Sequence, residues 1–397
     1  MSRKFLYVGN WGFRPAPKGI SRFLYDEETG DLTLQETIRP DVAAGQLCMD
    51  EQRNILYAVN ERGDRANEYG GGGSLLAFKI DPESGELTKI SERDSLCPEP
   101  SYLCLDGSGK YILTCHCADP WHVTKIVRKP DGTLGNEVLF DDAAVVMFRL
   151  NEDGSIGEAC DYLAFPGNNK LSETSKVNVD PVTNHIQLVE IISRLHAVII
   201  SPDKEMIVAC DKGMDKLYVM KLDRENGQLI HTDTFEAKWS SFPRYGAFHP
   251  TLPVFYSNSE YCGDVYMFRY DSAQGKLFHV TTASATDRDY GMVDGKPVGA
   301  QDVLVHPDGH AMYVTTCGIN SISVFSLDAE GKPELKQVIN SGGNLPRGLI
   351  ISPDGRFLLS GNMVSGDITT FEINEDGTLK STGKVFKAVS PSAMKFF

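Results

Sequence analysis

Arginines, glutamates and histidines at the ends of short apolar runs, among them Arg244, Glu260, His196 and Arg347, are residue types that could hold an anion and move a proton. An arginine offers a planar fork of N–H donors that fits a carboxylate or a phosphate. A glutamate or a histidine, tuned by burial and neighbours, can accept a proton from water near neutral pH. Each of the four sits at one end of a short apolar run: His196 in LHAVIISPD, Arg244 in FPRYGAFHP, Glu260 in FYSNSE and Arg347 in LPRGLIISPDG. They are spread along the chain, so the fold must bring them together.

The repeat is visible in the stretch from Leu345 to Leu379. Gly348 to Ser352, Phe357 to Ser360, Ile368 to Ile373 and a run from Thr378 are apolar segments separated by SPDG, NMVSG and NEDG. Short apolar runs bounded by Gly, Pro, Asn and Asp are the signature of strands and turns. The same order recurs from Gln46, Ser101, Leu195, Pro243 and Gln301. The N-terminus begins in mid-unit with FLYVGN, ISRFLYD and EETGDL, and its missing first strand appears as SAMKFF, Ser392 to Phe397. Seven four-stranded units at a period of about 45 residues predict an all-β, seven-bladed β-propeller closed by the C-terminal strand. Residues 1–397 are expected to form a single propeller domain. Two packed sandwiches would not explain equivalent turns at a fixed period.

Strand direction then sorts the residues by face. Successive strands of a meander run antiparallel, so the SPDG-type turns between strands one and two share one face. First-strand starts, loops from strand two to three and links from one blade to the next share the other. First-strand starts carry Gln46, Ser101, His196, Arg244, Asp302, Arg347 and Ser392. Strand-two ends and their loops carry Asn10, Glu61, His116, Asp211, Glu260, Cys317 and Asn362. Polar groups converging on a channel mouth define a binding site, with Gln46, Ser101, His116, Asp302 and Asn362 as expected substrate contacts. Four long insertions, at about 61–74, 117–143, 167–191 and 284–299, fall on this face and are expected to cover it.

Composition narrows the function. With 39 Lys and Arg against 54 Asp and Glu, the net charge is -15, which disfavours nucleic acid or an anionic membrane as partner. No run of 18 apolar residues and no signal-peptide pattern is present. Nine cysteines, mostly inside strand patterns, suit buried thiols in the cytoplasm better than a disulfide framework. Cys115, His116, Cys117 and His122 have no standard zinc spacing, because alternation puts the two thiols on one face and His116 on the other. No metal and no cofactor is expected. The glycines from Gly70 to Gly73 lack the Lys-Ser/Thr ending of a phosphate loop, and no G-x-S-x-G elbow occurs.

The patterns LHAVIISPD, FPRYGAFHP with FYSNSE, AQDVLVHPDG and LPRGLIISPDGRFLLSG resemble the lactonase-type seven-bladed propellers. That family includes the propeller-type bacterial 6-phosphogluconolactonases and the fungal 3-carboxy-muconate lactonizing enzymes. The resemblance spans nearly the whole chain and implies an active site of a histidine, two arginines and a glutamate. The matching positions are His196, Arg244, Arg347 and Glu260. It implies a metal-independent lactonase whose partner is a small anionic substrate, the lactone of a sugar acid or related acid. Glu260 or His196 would take the water proton while Arg244 and Arg347 neutralise charge on the carbonyl. The same residues would serve a cycloisomerase or lyase working on an unsaturated acid, or a non-catalytic propeller that only binds.

Overall fold

Strand two of each repeat is apolar almost throughout, and the structure shows why. Phe5–Asn10, Tyr111–His116, Val254–Ser259 and Phe357–Asn362 are buried at every position, each lying inside its sheet with a neighbouring sheet against both faces. Strand four has the opposite character: Leu379–Lys387 alternates between covered and exposed side chains, as an outer edge does. The computed structural model describes residues 5–12, 18–65, 68–69, 72–118, 122–168, 176–179, 186–189, 191–286, 292–293, 296–297 and 299–397. Among these there is no helix.

Seven four-stranded antiparallel sheets form the ring. Numbered from the N-terminus, their first strands are Pro391–Phe396, Leu47–Asp50, Pro100–Leu105, Leu195–Ile200, Pro243–Phe248, Gly299–Val305 and Pro346–Ile351. Each first strand lies beside those of both neighbouring blades, around a closed circle. The first blade is completed as the sequence predicts. Pro391–Phe396 pairs antiparallel with Phe5–Asn10, with Leu6 opposite Phe396 and Val8 opposite Met394.

The apolar core is divided into layers between blades. Tyr7, Leu47, Leu56 and Phe78 pack blades one and two, whereas Leu6, Phe23, Leu359 and Phe396 pack blades seven and one. A tyrosine latch recurs between blades. Tyr7 and Tyr57, from second strands, donate hydrogen bonds of 2.6 and 2.7 Å to the carbonyls of Gly85 and Gly154 in the next blade's outer turn. Tyr256 and Tyr313 do the same to Gly331 and Gly377. The receiving glycines have positive φ, 69° at Gly85 and 80° at Gly154, a conformation that glycine adopts without strain.

The expected insertions each contain a two-stranded hairpin. These are Asp64–Arg65 with Glu68–Tyr69, His122–Arg128 with Leu134–Phe140, Lys176–Val179 with Ile186–Val189, and Met292–Val293 with Lys296–Pro297. Gly70 and Gly71, much of 167–191 and of 284–299, and the side chain of His122 lie outside the described residues. All nine cysteines are free thiols. No helix among the described residues is long and apolar enough to cross a membrane.

Tyr57→Phe keeps the ring and removes only the latch, leaving a buried carbonyl unpaired. It should cost about 1–3 kcal/mol in denaturant unfolding. An unchanged midpoint would show that the latch carries no stability.

Candidate active site

The site residues stand where the innermost strand carries one residue too many for its partner. Leu195 pairs with Asp211 and Ala197 with Cys210, so His196 is the extra residue of a β-bulge. Arg347 is extra between Pro346 and Gly348, and Ser101 between Pro100 and Tyr102. Arg244 and Tyr245 face Asn258 alone, and Gln301 and Asp302 face Thr315 alone. Ser392 completes the set. A bulge breaks the ladder locally and re-aims a side chain. Side chains of the second strand hold the freed backbone: Asn258 Oδ1 accepts from the Tyr245 amide at 2.8 Å, and Thr315 Oγ1 from the Asp302 amide at 3.0 Å.

Second strands supply the other half of the site through the residue just past their end. Glu61 follows Asn60, Lys212 follows Asp211, Glu260 follows Ser259 and Trp11 follows Asn10. Glu260 Oε2 lies 2.9 Å from Lys212 Nζ and 3.7 Å from Arg244 Nε. Glu61 Oε1 lies 3.9 Å from Arg347 Nη2. Arg244 stacks over Tyr245 with its guanidinium carbon 4.4 Å from the ring centre, and Arg347 stacks over Trp11 at 4.3 Å. The His196 ring meets Tyr245 edge-on at 5.4 Å. Arg244 is 1 % exposed and Arg347 7 %, so their charges are almost wholly out of water.

This surrounding splits the titrations of the acidic and basic groups. Burial alone would raise the Glu260 carboxyl, but Lys212 and Arg244 outweigh it and hold the group down to about 2. Burial pushes Glu61 up to about 7, only partly countered by Arg347, Arg244 and Lys212. Burial, reinforced by Arg244, Lys212 and Arg347, drives His196 well below the usual imidazole range, and its Nδ1 has no partner. Burial and then the like charge of Arg244 weaken Arg347's hold on its proton. Arg244, Arg347 and Lys212 therefore gather around Glu260 and Glu61, and the arginines repel each other across the mouth. An anion placed between them relieves that repulsion.

The structure brings together His196, Arg244, Glu260 and Arg347 but tunes neither expected base toward neutrality, His196 being driven down by burial and the neighbouring cations. Glu260 is tuned away from neutrality, not toward it, because Lys212 is salt-bridged to it. The remaining candidates are engaged elsewhere. Asp302, pushed up to about 6 by burial, accepts from the amides of Leu349 and Val303, both at 2.8 Å. Ser101 donates to the Leu195 carbonyl of the next blade at 2.8 Å, and Gln46 caps its neighbour's amide at 2.9 Å. His116 is fully buried, bonds through Nδ1 to Ala144 O at 3.0 Å and is held at about 4 by burial. Asn362 is fully buried and reaches Asp367 at 2.9 Å and Thr369 at 3.2 Å within its own sheet. Lys212, Tyr245 and Trp11 are the residues of the cluster that sequence reasoning missed. Glu61 was visible on the polar ring without a role.

Among the described residues one group of three possible metal ligands occurs: His306, Asp308 and His310. It belongs to the turn on the opposite face. There His306 Nδ1 approaches Asp308 at 2.7 Å, as the Ser352 hydroxyl approaches Asp354 at 2.6 Å in blade seven.

Comparison with known proteins places the fold. The pattern described as "Lactonase, 7-bladed beta-propeller" matches residues 5–396. The chain is 25% identical over 398 residues to a 6-phosphogluconolactonase of Bacillus subtilis (strain 168), covering 100% of this chain and 99% of that one. It is 24% identical over 399 residues to a 6-phosphogluconolactonase of Formosa agariphila, covering 99% of each. Among solved structures, a periplasmic gluconolactonase of Pseudomonas aeruginosa superposes with a TM-score of 0.79 at 23% identity, covering 99% of this chain and 98% of that one.

Lys212→Met tests the electrostatic account. Glu260 has a folded-state value below its ordinary 4.5, so its contribution to stability is present above pH 4.5 and lost as pH falls toward 2. The variant should be less stable than the parent at pH 7 by about 1–2 kcal/mol, with the gap closing between pH 4.5 and 2. A constant gap across that window in urea titrations would show that Lys212 does not set the Glu260 charge.

Proposed function

The chain belongs to the seven-bladed β-propeller lactonase family, and from that premise we propose that it hydrolyses the lactone of an anionic sugar acid. The observation that carries the reading is the buried pair Arg244 and Arg347, each stacked on an aromatic ring and neither fully neutralised by a carboxylate. Such a pair binds an anionic group and stabilises negative charge as it develops on the lactone carbonyl oxygen. Relatives named 6-phosphogluconolactonases support a phosphorylated sugar acid as the substrate class.

Glu260 stays ionised and serves to position Arg244 and Lys212. His196 stays neutral, so it takes part as a hydrogen-bonding ring beside the reacting carbonyl and carries no charge of its own. The chemistry is proposed to run without a metal. Arg244, Arg347 and Lys212 would repel a divalent cation from Glu260 and Glu61, and no standard ligand spacing is present there. The four insertions are proposed to cover the mouth. Free thiols throughout suit a reducing compartment such as the cytoplasm.

The test is a pH-stat assay against paired lactones, one phosphorylated or carboxylated and the other neutral, with and without a strong chelator. Turnover should favour the anionic member and survive the chelator. Arg244→Lys and Arg347→Lys keep the charge but lose the fork, and each should reduce kcat/KM roughly 30- to 1000-fold. Equal turnover of the neutral partner, or arginine variants that fold and work like the parent, would remove the anion clamp from the reading.

A further inference from the structure

An efficient general base at neutral pH must be unprotonated yet close to its own titration point. Neither of the two residues expected to fill that role meets the requirement. Glu260 is locked in an ion pair with Lys212, and His196 is surrounded by three cations that disfavour its taking up a proton. A third group does meet it. Resting on the lactonase reading, we propose that Glu61 is the catalytic residue that takes the proton from the attacking water.

The geometry is specific to this side chain. Glu61 begins the loop after the second strand of blade two, and its amide is fixed by a 2.8 Å bond to Ala43 O. The carboxylate is 8 % exposed. Oε1 faces Arg347, whereas Oε2 is buried without a well-formed hydrogen bond, the Trp11 indole contributing only weakly. Room for that oxygen is made by Gly45, where a Cβ would stand 1.9 Å from Oε2. A buried carboxylate oxygen without a strong partner is costly to keep unless something occupies it during function. Charged and titratable groups face it from several blades: Arg347 from the seventh, Arg244 and Tyr245 from the fifth, Lys212 from the fourth and Cys117 from the third. Its value of about 7 follows from burial set against the first, second and fourth of these, the three cations.

The step balances without a further reactant. The water oxygen bonds to the lactone carbonyl carbon as its proton passes to Glu61, and the carbonyl electron pair moves onto the oxygen held by the arginines. When that pair returns, the bond from the carbonyl carbon to the ring oxygen breaks. The proton on Glu61 then goes to the leaving ring oxygen, giving the open hydroxy acid and restoring the carboxylate.

The experiment measures kcat and KM from pH 5.5 to 8.5 on the anionic lactone for the parent, E61Q, E61D and G45A. Spontaneous hydrolysis is subtracted and melting temperatures are matched. The parent should lose activity about tenfold per pH unit below an apparent value near 7. E61Q should lose roughly 100- to 10,000-fold in kcat, with little change in KM, and its acid limb should vanish. E61D should keep an acid limb at reduced rate. G45A, which displaces Oε2, should lower kcat in the same direction. If E61Q keeps both its rate and its acid limb, or changes KM alone, Glu61 only positions Arg347 and the assignment is overturned while the lactonase reading stands. If the parent opens no lactone of the panel, the lactonase reading fails and the assignment falls with it.

Discussion

The extra residue in the innermost strand is the constraint on which the site depends. Six of the seven first strands carry it, and at each the side chain thrown out of register is polar or, at Arg244 and Tyr245, cationic and aromatic. A regular strand would alternate these side chains between the two flanking blades, where layers of Leu, Val, Phe and Tyr leave no room for charge. The bulge sends them along the channel instead. It also reaches forward around the ring. Ser392 bonds to Gly45 O, Ser101 to Leu195 O, Arg244 to Gln301 O, and Asp302 accepts from the Leu349 amide. The same irregularity therefore aims the chemistry and stitches each blade to the next.

Concentrating charge at the mouth is costly, since buried ions give up hydration that their partners seldom return in full. The fold tolerates it because the stabilising layers lie elsewhere, between the blades. The arginines gain what they can from aromatic faces, Tyr245 and Trp11, and from two carboxylates of different character. Glu260, tied to Lys212, behaves as a permanent anion. Glu61, whose nearest cation among the described residues is Arg347 at 3.9 Å, remains free to change state. Two glutamates at equivalent places in the repeat thus diverge because one has a lysine at 2.9 Å and the other does not.

Much of the fold was legible in the sequence because turns and apolar runs recur at fixed spacing, and the split first unit announced how the ring closes. The face that carries the site followed from strand direction alone. The limit was parity. His116 and Asn362 are the last residues of their second strands and turn into their own sheets, whereas Glu61, Lys212 and Glu260 stand one residue later and turn into the mouth. Neighbouring residues on extended chain point opposite ways, so an uncertainty of one residue at a strand end exchanges a structural group for a functional one. Superposing the repeats one residue past strand two gives Trp11, Glu61, Cys117, Lys212, Glu260, Gly318 and Met363. That row contains most of what was missed. The tuning of Glu260 was not legible, because it depends on a lysine 48 residues away.

The pairing of Pro391–Phe396 with Phe5–Asn10 has a consequence for synthesis. Trp11 stands at the end of the strand that waits for this partner, and Arg347 rests on Trp11. While the chain is still emerging from the ribosome, blades two to six can stack on one another, but Trp11 and Arg347 have no fixed relation. At about 5–20 residues per second the whole interval lasts less than two minutes, and throughout it the nascent protein lacks an assembled site. The mouth is complete only with the strand containing Ser392 in its place between blades seven and two.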